Sequence, residues 1–305
     1  MRLGYALPQI GALASGEALV EAAQHAEGLG FDSVWTLDRL LWPLEPQAKY
    51  NASADGSLPE AFKTALDPLE SLTFVAAHTE RVALGTSVLN IPFYNPALLA
   101  RRLTTLDVLS KGRLRLGMGM GWSTDEFGTV GAPAKRGPAA DEFLQVLKAI
   151  WTQDPVSFVG EYYNVPKSIV YPKPVQQPHP PIYLAAYSPP AMRRVAQYAD
   201  GWNPVGIPAA GMQEMLSGIR QMAEAAGRDP KAIQLIVRAN VHFVDGPADD
   251  QRRPFMGSPE QITSDVDACR EIDADEIQFD AQFSPGIGGL ANFKARMEQL
   301  RELAG

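Results

Sequence analysis

The chain has 305 residues, 46% of them hydrophobic and 20% charged, with a formal net charge of −8. That length suits one α/β barrel with a large core, and an acidic balance without a basic stripe excludes nucleic acid as a partner. The single cysteine, Cys269, rules out an intrachain disulfide.

Strand-like and helix-like segments alternate from end to end. Arg2–Leu7 reads as a strand, and no charged leader or apolar h-region precedes it, so a cytoplasmic location is expected. Gly16–Leu29 reads as an amphipathic helix closed by Gly30, and Phe31–Thr36 as a second strand. Leu40–Leu66 is rich in Pro, Ala, Ser and Asp and too long for an ordinary connection, which predicts a functional lid. Pro68–Thr79 (helix), Val82–Val88 (strand), Pro96–Leu109 (helix), Arg113–Gly119 (strand) and Asp141–Trp151 (helix) follow. From Thr152 to Pro180 the pattern breaks, with Pro166, Pro172, Pro174, Pro178 and Pro180 marking an excursion. It resumes with strand Pro181–Ala186, helix Pro189–Ala199, short strand Gly201–Asn203, helix Ala209–Ala226 and strand Ile233–Val244. Helix Ser258–Ile272 sets Ile262, Val266, Cys269 and Ile272 on one face, which predicts a buried thiol. Strand Glu276–Asp280 and helix Leu290–Leu303 complete the series. Eight strands alternating with eight helices predict a single closed (β/α)8 TIM barrel over 1–305, with insertions at about 40–66, 152–180 and 282–289. No stretch is long and apolar enough to span a bilayer.

The chemistry of such a barrel sits at the carboxyl ends of its strands. Gly117-Met118-Gly119-Met120-Gly121 is spaced GxGxG, not GxGxxG, and lacks the acidic ribose partner at the next strand tip, which argues against a Rossmann nicotinamide site. These glycines let a flat ring lie close to the strand end. The four histidines, His25, His78, His179 and His242, show no zinc spacing, so no metal is expected; His242 falls in a strand and reads as a hydrogen-bonded barrel histidine. No Gly-x-Ser-x-Gly elbow supports a hydrolase. Asp38-Arg39 places an acid and a base after the second strand, readable equally as catalytic groups or as a structural ion pair. Trp35, Trp42 and Trp122 fall near the same rim and suit a planar ligand, with core packing the alternative. Ala185-Ala186-Tyr187-Ser188 leads into a helix whose free amides, with Arg193 and Arg194 one turn on, suit an anion; Ser188 also suits an ordinary N-cap. Arg252-Arg253 reads as an isolated solvated pair. Leu89, Ile91, Phe93 and Tyr94 suit either core or a dimer interface.

Several blocks in order carry a family resemblance: Leu3-Gly4-Tyr5-Ala6-Leu7-Pro8-Gln9, Ala26 to Trp35, Leu84 to Asn90, Thr105 to Arg113, Gly117 to Trp122 with Glu126-Phe127, and Arg193-Arg194 through Ala199-Asp200-Gly201-Trp202. Together, over roughly Met1 to Pro204, they resemble the bacterial luciferase-like monooxygenase family, closest to its branch that uses the deazaflavin coenzyme F420. The resemblance implies a homodimeric barrel with the cofactor ring across its mouth and a non-prolyl cis peptide at Ser87–Val88. It also implies that Asp38, Thr86, Ser87, Val88 and Asn90 face the ring and its ribityl chain. Gly119, Trp122 and Asp125 would contribute from the next strand, and Ala185, Ala186, Tyr187 and Ser188 would hold the phosphate through backbone amides. Three positions depart from the pattern. Arg39 stands where many relatives have histidine and cannot act as a base near neutrality. Trp122 stands where the sugar-phosphate dehydrogenases have a glutamate, and Ala185-Ala186 replaces Gly-Gly. The expected activity is F420-dependent hydride transfer to or from a small organic molecule. Asp38 and Arg39 would supply polarity, while Trp42 and the Tyr50–Ser57 loop cover the site. An FMN-dependent monooxygenase and a ligand-binding barrel without turnover are the alternatives.

Overall fold

The computed structural model describes residues 1–305 apart from 51, 52, 54 and 250. In chain order the elements are β1 (Arg2–Ala6), α1 (Gly16–Gly28), β2 (Ser33–Thr36), α2 (Pro68–Ala76), β3 (Ala83–Asn90), α3 (Pro96–Leu109), β4 (Leu114–Gly119), α4 (Thr124–Thr129) and α5 (Arg136–Thr152). They continue with β5 (Val156–Val159), β6 (Asn164–Ser168), β7 (Ile182–Leu184), α6 (Pro189–Tyr198), β8 (Gly201–Trp202), α7 (Ala209–Ala225) and β9 (Gln234–Asn240). The last are β10 (His242–Phe243), β11 (Met256–Gly257), α8 (Pro259–Glu271), β12 (Glu276–Asp280) and α9 (Leu290–Leu303).

Eight parallel strands close in the order β1-β12-β9-β8-β7-β4-β3-β2, the expected barrel. Each outer helix packs on the next through α1, α2, α3, α5, α6, α7, α8 and α9, and α9 returns to α1. Local sequence starts these helices cleanly. Asp67 accepts from the amides of Leu69 and Glu70 ahead of Pro68, and Asn95 does the same for Ala97 and Leu98 ahead of Pro96. Ser258 and Gln261 form a reciprocal capping box at α8. On that helix Cys269 is 1% exposed beside buried Ile262 and Val266.

The barrel's amino end is closed by charge. Glu276, fully buried, pairs with Arg115 and with Arg2 at 3.3 Å, and accepts from Ser33 Oγ and from Trp35 Nε1 at 3.2 Å. Trp35 therefore points down the barrel axis and not to the rim. It lies across Gly85, where any Cβ would overlap its indole, so glycine is required there.

Three readings need correction, and the Thr152–Pro180 excursion, which does stand outside the barrel, gains detail. Strand-like alternation continues to Val244, but β12 ends at Asp280 and leaves nothing to pair beyond Asn240; His242 joins β10, which pairs with β11 outside the barrel. The Thr152–Pro180 excursion contains an antiparallel hairpin, β5 with β6. Short α4 precedes α5, which starts at Arg136, five residues before Asp141. Arg252 is not isolated: it forks onto Asp265 at 2.6 and 2.8 Å. Leu89 and Ile91 belong to the core. Among the described residues no helix is long and apolar enough to cross a membrane.

Candidate functional site

A cavity of about 580 Å³ opens at the carboxyl ends of the barrel strands. Each wall comes from a different strand. Leu37, Asp38 and Arg39 follow β2; Ser87, Val88 and Asn90 end β3; Gly119 to Trp122 leave β4; Ala185, Tyr187 and Ser188 follow β7; Asn203 and Val205 follow β8; Arg238 and Asn240 end β9.

On one wall, β3 breaks register with β4 between Thr86 and Leu89, and the Ser87–Val88 peptide is cis, as the resemblance implies. Ser87 Oγ donates to Asn203 Oδ1 at 3.1 Å, and Asn203 Nδ2 donates to the Ile236 carbonyl at 2.7 Å. Arg238 ties down the Ser87 carbonyl through Nη1. It is itself fixed by Asp280 at 2.5 Å and Asn240 at 3.0 Å. Gly119 forms the adjacent floor: a Cβ there would stand 2.6 Å from Val88 Cγ2.

Asp38 and Arg39 do not pair with each other. Asp38 Oδ2 accepts from the Asn90 amide at 2.9 Å and from Tyr94 Oη at 3.0 Å. Burial pushes this carboxyl up to about 6 although both hydrogen bonds favour its ionised form. It can therefore hold or release a proton near neutrality. Arg39 turns to α4, where Nη2 lies 3.2 Å from buried Glu126 Oε1. Its guanidinium sits 4.8 Å from the Phe62 ring centre and 4.9 Å from that of Trp122. Tyr50 packs on both rings, 5.5 Å from Phe62 and 5.2 Å from Trp122. The Arg39 side chain is only 5% exposed; Nε makes no hydrogen bond to a described residue, and Nη2 has only the ion pair with Glu126.

The structure thus brings Asp38, Arg39, Ser87, Val88, Asn90, Gly119, Trp122, Ala185, Tyr187 and Ser188 to one cavity. Four expected residues lie outside its lining. Trp42 packs under Lys63, whose Nζ is 4.3 Å from its ring. Thr86 is fully buried and donates to the Gly117 carbonyl at 2.8 Å. Asp125 accepts from the Gln47 amide at 3.1 Å, and Ala186 is 1% exposed with its carbonyl on Trp202 Nε1. Of the Tyr50–Ser57 loop, Tyr50 lines the cavity, whereas 51, 52 and 54 fall outside the described residues. Ser188 occupies the N-cap of α6 without a side-chain cap bond. Arg194 does not serve that helix end, because it is spent on Asp141 at 2.5 Å and the Gly137 carbonyl at 2.9 Å. Phe62, Met120, Asn203, Arg238 and Asn240 were not foreseen. A signal existed for two of them: Gln234, Ile236, Arg238 and Asn240 alternate along β9 and define its inward row.

The family model for luciferase-like monooxygenase matches residues 1–299. An uncharacterized protein of Mycobacterium tuberculosis is 35% identical over 224 residues, which is 71% of this chain and 78% of that one. The F420-dependent glucose-6-phosphate dehydrogenase of Kineococcus radiotolerans is 32% identical over 255 residues, covering 81% and 70%. Among solved structures, the monooxygenase RslO1 from Streptomyces bottropensis superposes with a TM-score of 0.78 at 23% identity, covering 99% and 98% of the two chains. The coenzyme F420 dependent tetrahydromethanopterin reductase from Methanopyrus kandleri gives 0.76 at 16%, covering 99% and 97%. At these identities the two structures share the fold.

Proposed function

The chain belongs to the luciferase-like monooxygenase family, and from that premise we propose that it is an F420-dependent oxidoreductase moving a hydride to or from a small organic molecule. The observation that carries this reading is the floor at Gly119, kept free of a Cβ beside the Val88 bulge, at the base of a cavity of about 580 Å³. Such a space holds a ring and a small partner, within the roughly 300–1,000 Å³ common for ligand sites. Relatives named F420-dependent glucose-6-phosphate dehydrogenase, at 32% and 31% identity, favour the deazaflavin over FMN.

When bound, the deazaflavin supplies two electrons as a hydride, and the protein's task is orientation. Ser87, Val88 and Gly119 would seat the ring, with Arg238 fixing the Ser87 carbonyl behind it. Tyr187 and Ser188 would meet the phosphate arm at the start of α6. Pro189 and Pro190 carry no N–H, so that helix end offers fewer donors than an ordinary one. The Ala185 amide already donates to the Met118 carbonyl, so it too is removed from that role. Asp38, its carboxyl pushed by burial up to about 6, would take up or release a proton at the cavity wall. Trp122, in place of an acid, makes the substrate end apolar and argues against sugar phosphates. We assign the same protein a homodimeric assembly and a cytoplasmic location, which light scattering and cell fractionation test.

Fluorescence titration of the apoprotein with oxidised F420 and, separately, FMN at matched ionic strength tests the cofactor. Tight F420 binding with weak FMN binding is expected. The reverse order, or binding of neither, overturns the assignment.

A further inference from the structure

The wall beside the Ser87 bulge, at the carboxyl end of β2, holds a cation whose hydrogen-bonding capacity the protein leaves partly unused. The Arg39 side chain is 5% exposed, yet Nε has no hydrogen-bond partner among the described residues and Nη2 has only its ion pair with Glu126. Buried guanidinium groups carry five donors and are rarely left in that state. Its positive charge, in contrast, is already answered. Glu126, 1% exposed, stands 3.2 Å away and is held there by the amides of Leu40 and Leu41. Asp38 lies next in sequence on the same wall.

These two facts select a ligand chemistry. A carboxylate or phosphate would add a further negative charge to a wall that already carries two buried acids, at a desolvation cost with no matching cation. A neutral oxygen acceptor would satisfy the donors and leave the charge balance intact. The guanidinium lies against the flat rings of Phe62 and Trp122, on which Tyr50 packs, and Leu37 and Met120 add apolar lining to the same cavity. Aromatic faces of this kind favour a planar conjugated partner.

We propose that the substrate is a flat, neutral conjugated carbonyl compound, of enone or enal type, whose carbonyl oxygen is received by Arg39. This rests on the hydride-transfer reading above. A hydride delivered to the β-carbon breaks the C=C π bond. That electron pair becomes the new π bond to the carbonyl carbon, and the C=O pair moves to oxygen, giving an enolate. Water then supplies the proton that forms the α-carbon C–H bond. On the proposed reading the bound two-electron donor would give its hydride to that β-carbon and one proton to solvent, replacing the proton taken from water, so electrons and atoms balance. Arg39 acts in this step because its hydrogen bonds strengthen as charge collects on the oxygen.

The test uses the apoprotein and three shape-matched probes: trans-cinnamaldehyde, cinnamate and cinnamyl alcohol. Ultraviolet difference titration reads both affinity and the position of the conjugated carbonyl band. The wild-type protein should bind the aldehyde at least tenfold more tightly than either analogue and shift its band to longer wavelength. Arg39→Met should lose at least tenfold in affinity and the band shift. Arg39→Lys should keep part of both, and melting curves should show that each variant folds. Tightest binding of cinnamate, binding of none, or an unshifted band in the wild type overturns the proposal. So does an unchanged titration in folded Arg39→Met. Because no cofactor is present, these outcomes are independent of the F420 titration. If F420 fails to bind while the aldehyde does, the cofactor reading falls and the carbonyl subsite stands.

Discussion

Replacing Asp38 by asparagine should stabilise the ligand-free protein, and by an amount that depends on pH. Burial raises this carboxyl from the ordinary 3.8 to about 6. Between those values the folded state therefore holds a proton that the unfolded chain has released, so wild-type stability falls as pH rises through this window. At about 1.36 kcal/mol per pH unit, the full cost of ionising Asp38 in place is roughly 3 kcal/mol above pH 7 and under about 1 kcal/mol near pH 4. Asparagine keeps an oxygen to accept from the Asn90 amide and Tyr94 Oη and never ionises. Any loss from the weaker neutral hydrogen bonds is constant with pH and shifts the comparison without tilting it. Urea unfolding of both proteins at pH 4, 6 and 8 reads the difference directly. The variant's advantage should grow by about 2 kcal/mol from the lowest to the highest pH. A gap that stays flat, or one that closes as pH rises, would refute the reasoning and show that Asp38 ionises freely in the folded protein.

Gly119→Ala places a methyl 2.6 Å from Val88 Cγ2 on the cavity floor; F420 titration should show at least tenfold weaker binding, with about 1–3 kcal/mol lost in urea unfolding. Glu276→Gln leaves Arg115 and Arg2 without their carboxylate at the closed end of the barrel. Chemical denaturation should report a loss of about 3 kcal/mol or more, with the cavity's affinity for F420 nearly unchanged. Cys269, 1% exposed and with its thiol pushed up to about 12, should resist a chromogenic disulfide reagent in the native protein and react at once in urea.

The barrel was legible because its signals are local. Alternation, Asp-Pro and Asn-Pro helix starts and glycine stops place α3, β12 and α9 residue for residue. What failed to show depends on partners distant in sequence. Arg194 looks available until Asp141, 53 residues earlier, is folded against it, and Arg252 looks solvated until α8 brings Asp265 alongside. The end of β9 is set by the length of β12, not by anything in its own residues. The site followed the same division. Residues at strand tips, such as Asp38, Ser87 and Gly119, could be found by position alone. Phe62 could not: it reaches the cavity from a 3-10 turn, Glu60–Lys63, within the long loop, where spacing carries no information about direction.

The buried charges around Glu276 have a consequence for traffic. A tube stoppered at its amino end has one doorway, so its occupants form a stack and not a queue. Whatever settles on the floor by Ser87 and Gly119 must arrive first and depart last. On the function proposed above, the smaller molecule over it would come and go while its neighbour stays. A spent product lingering at the doorway would then do two things at once: bar the next substrate and detain the occupant below.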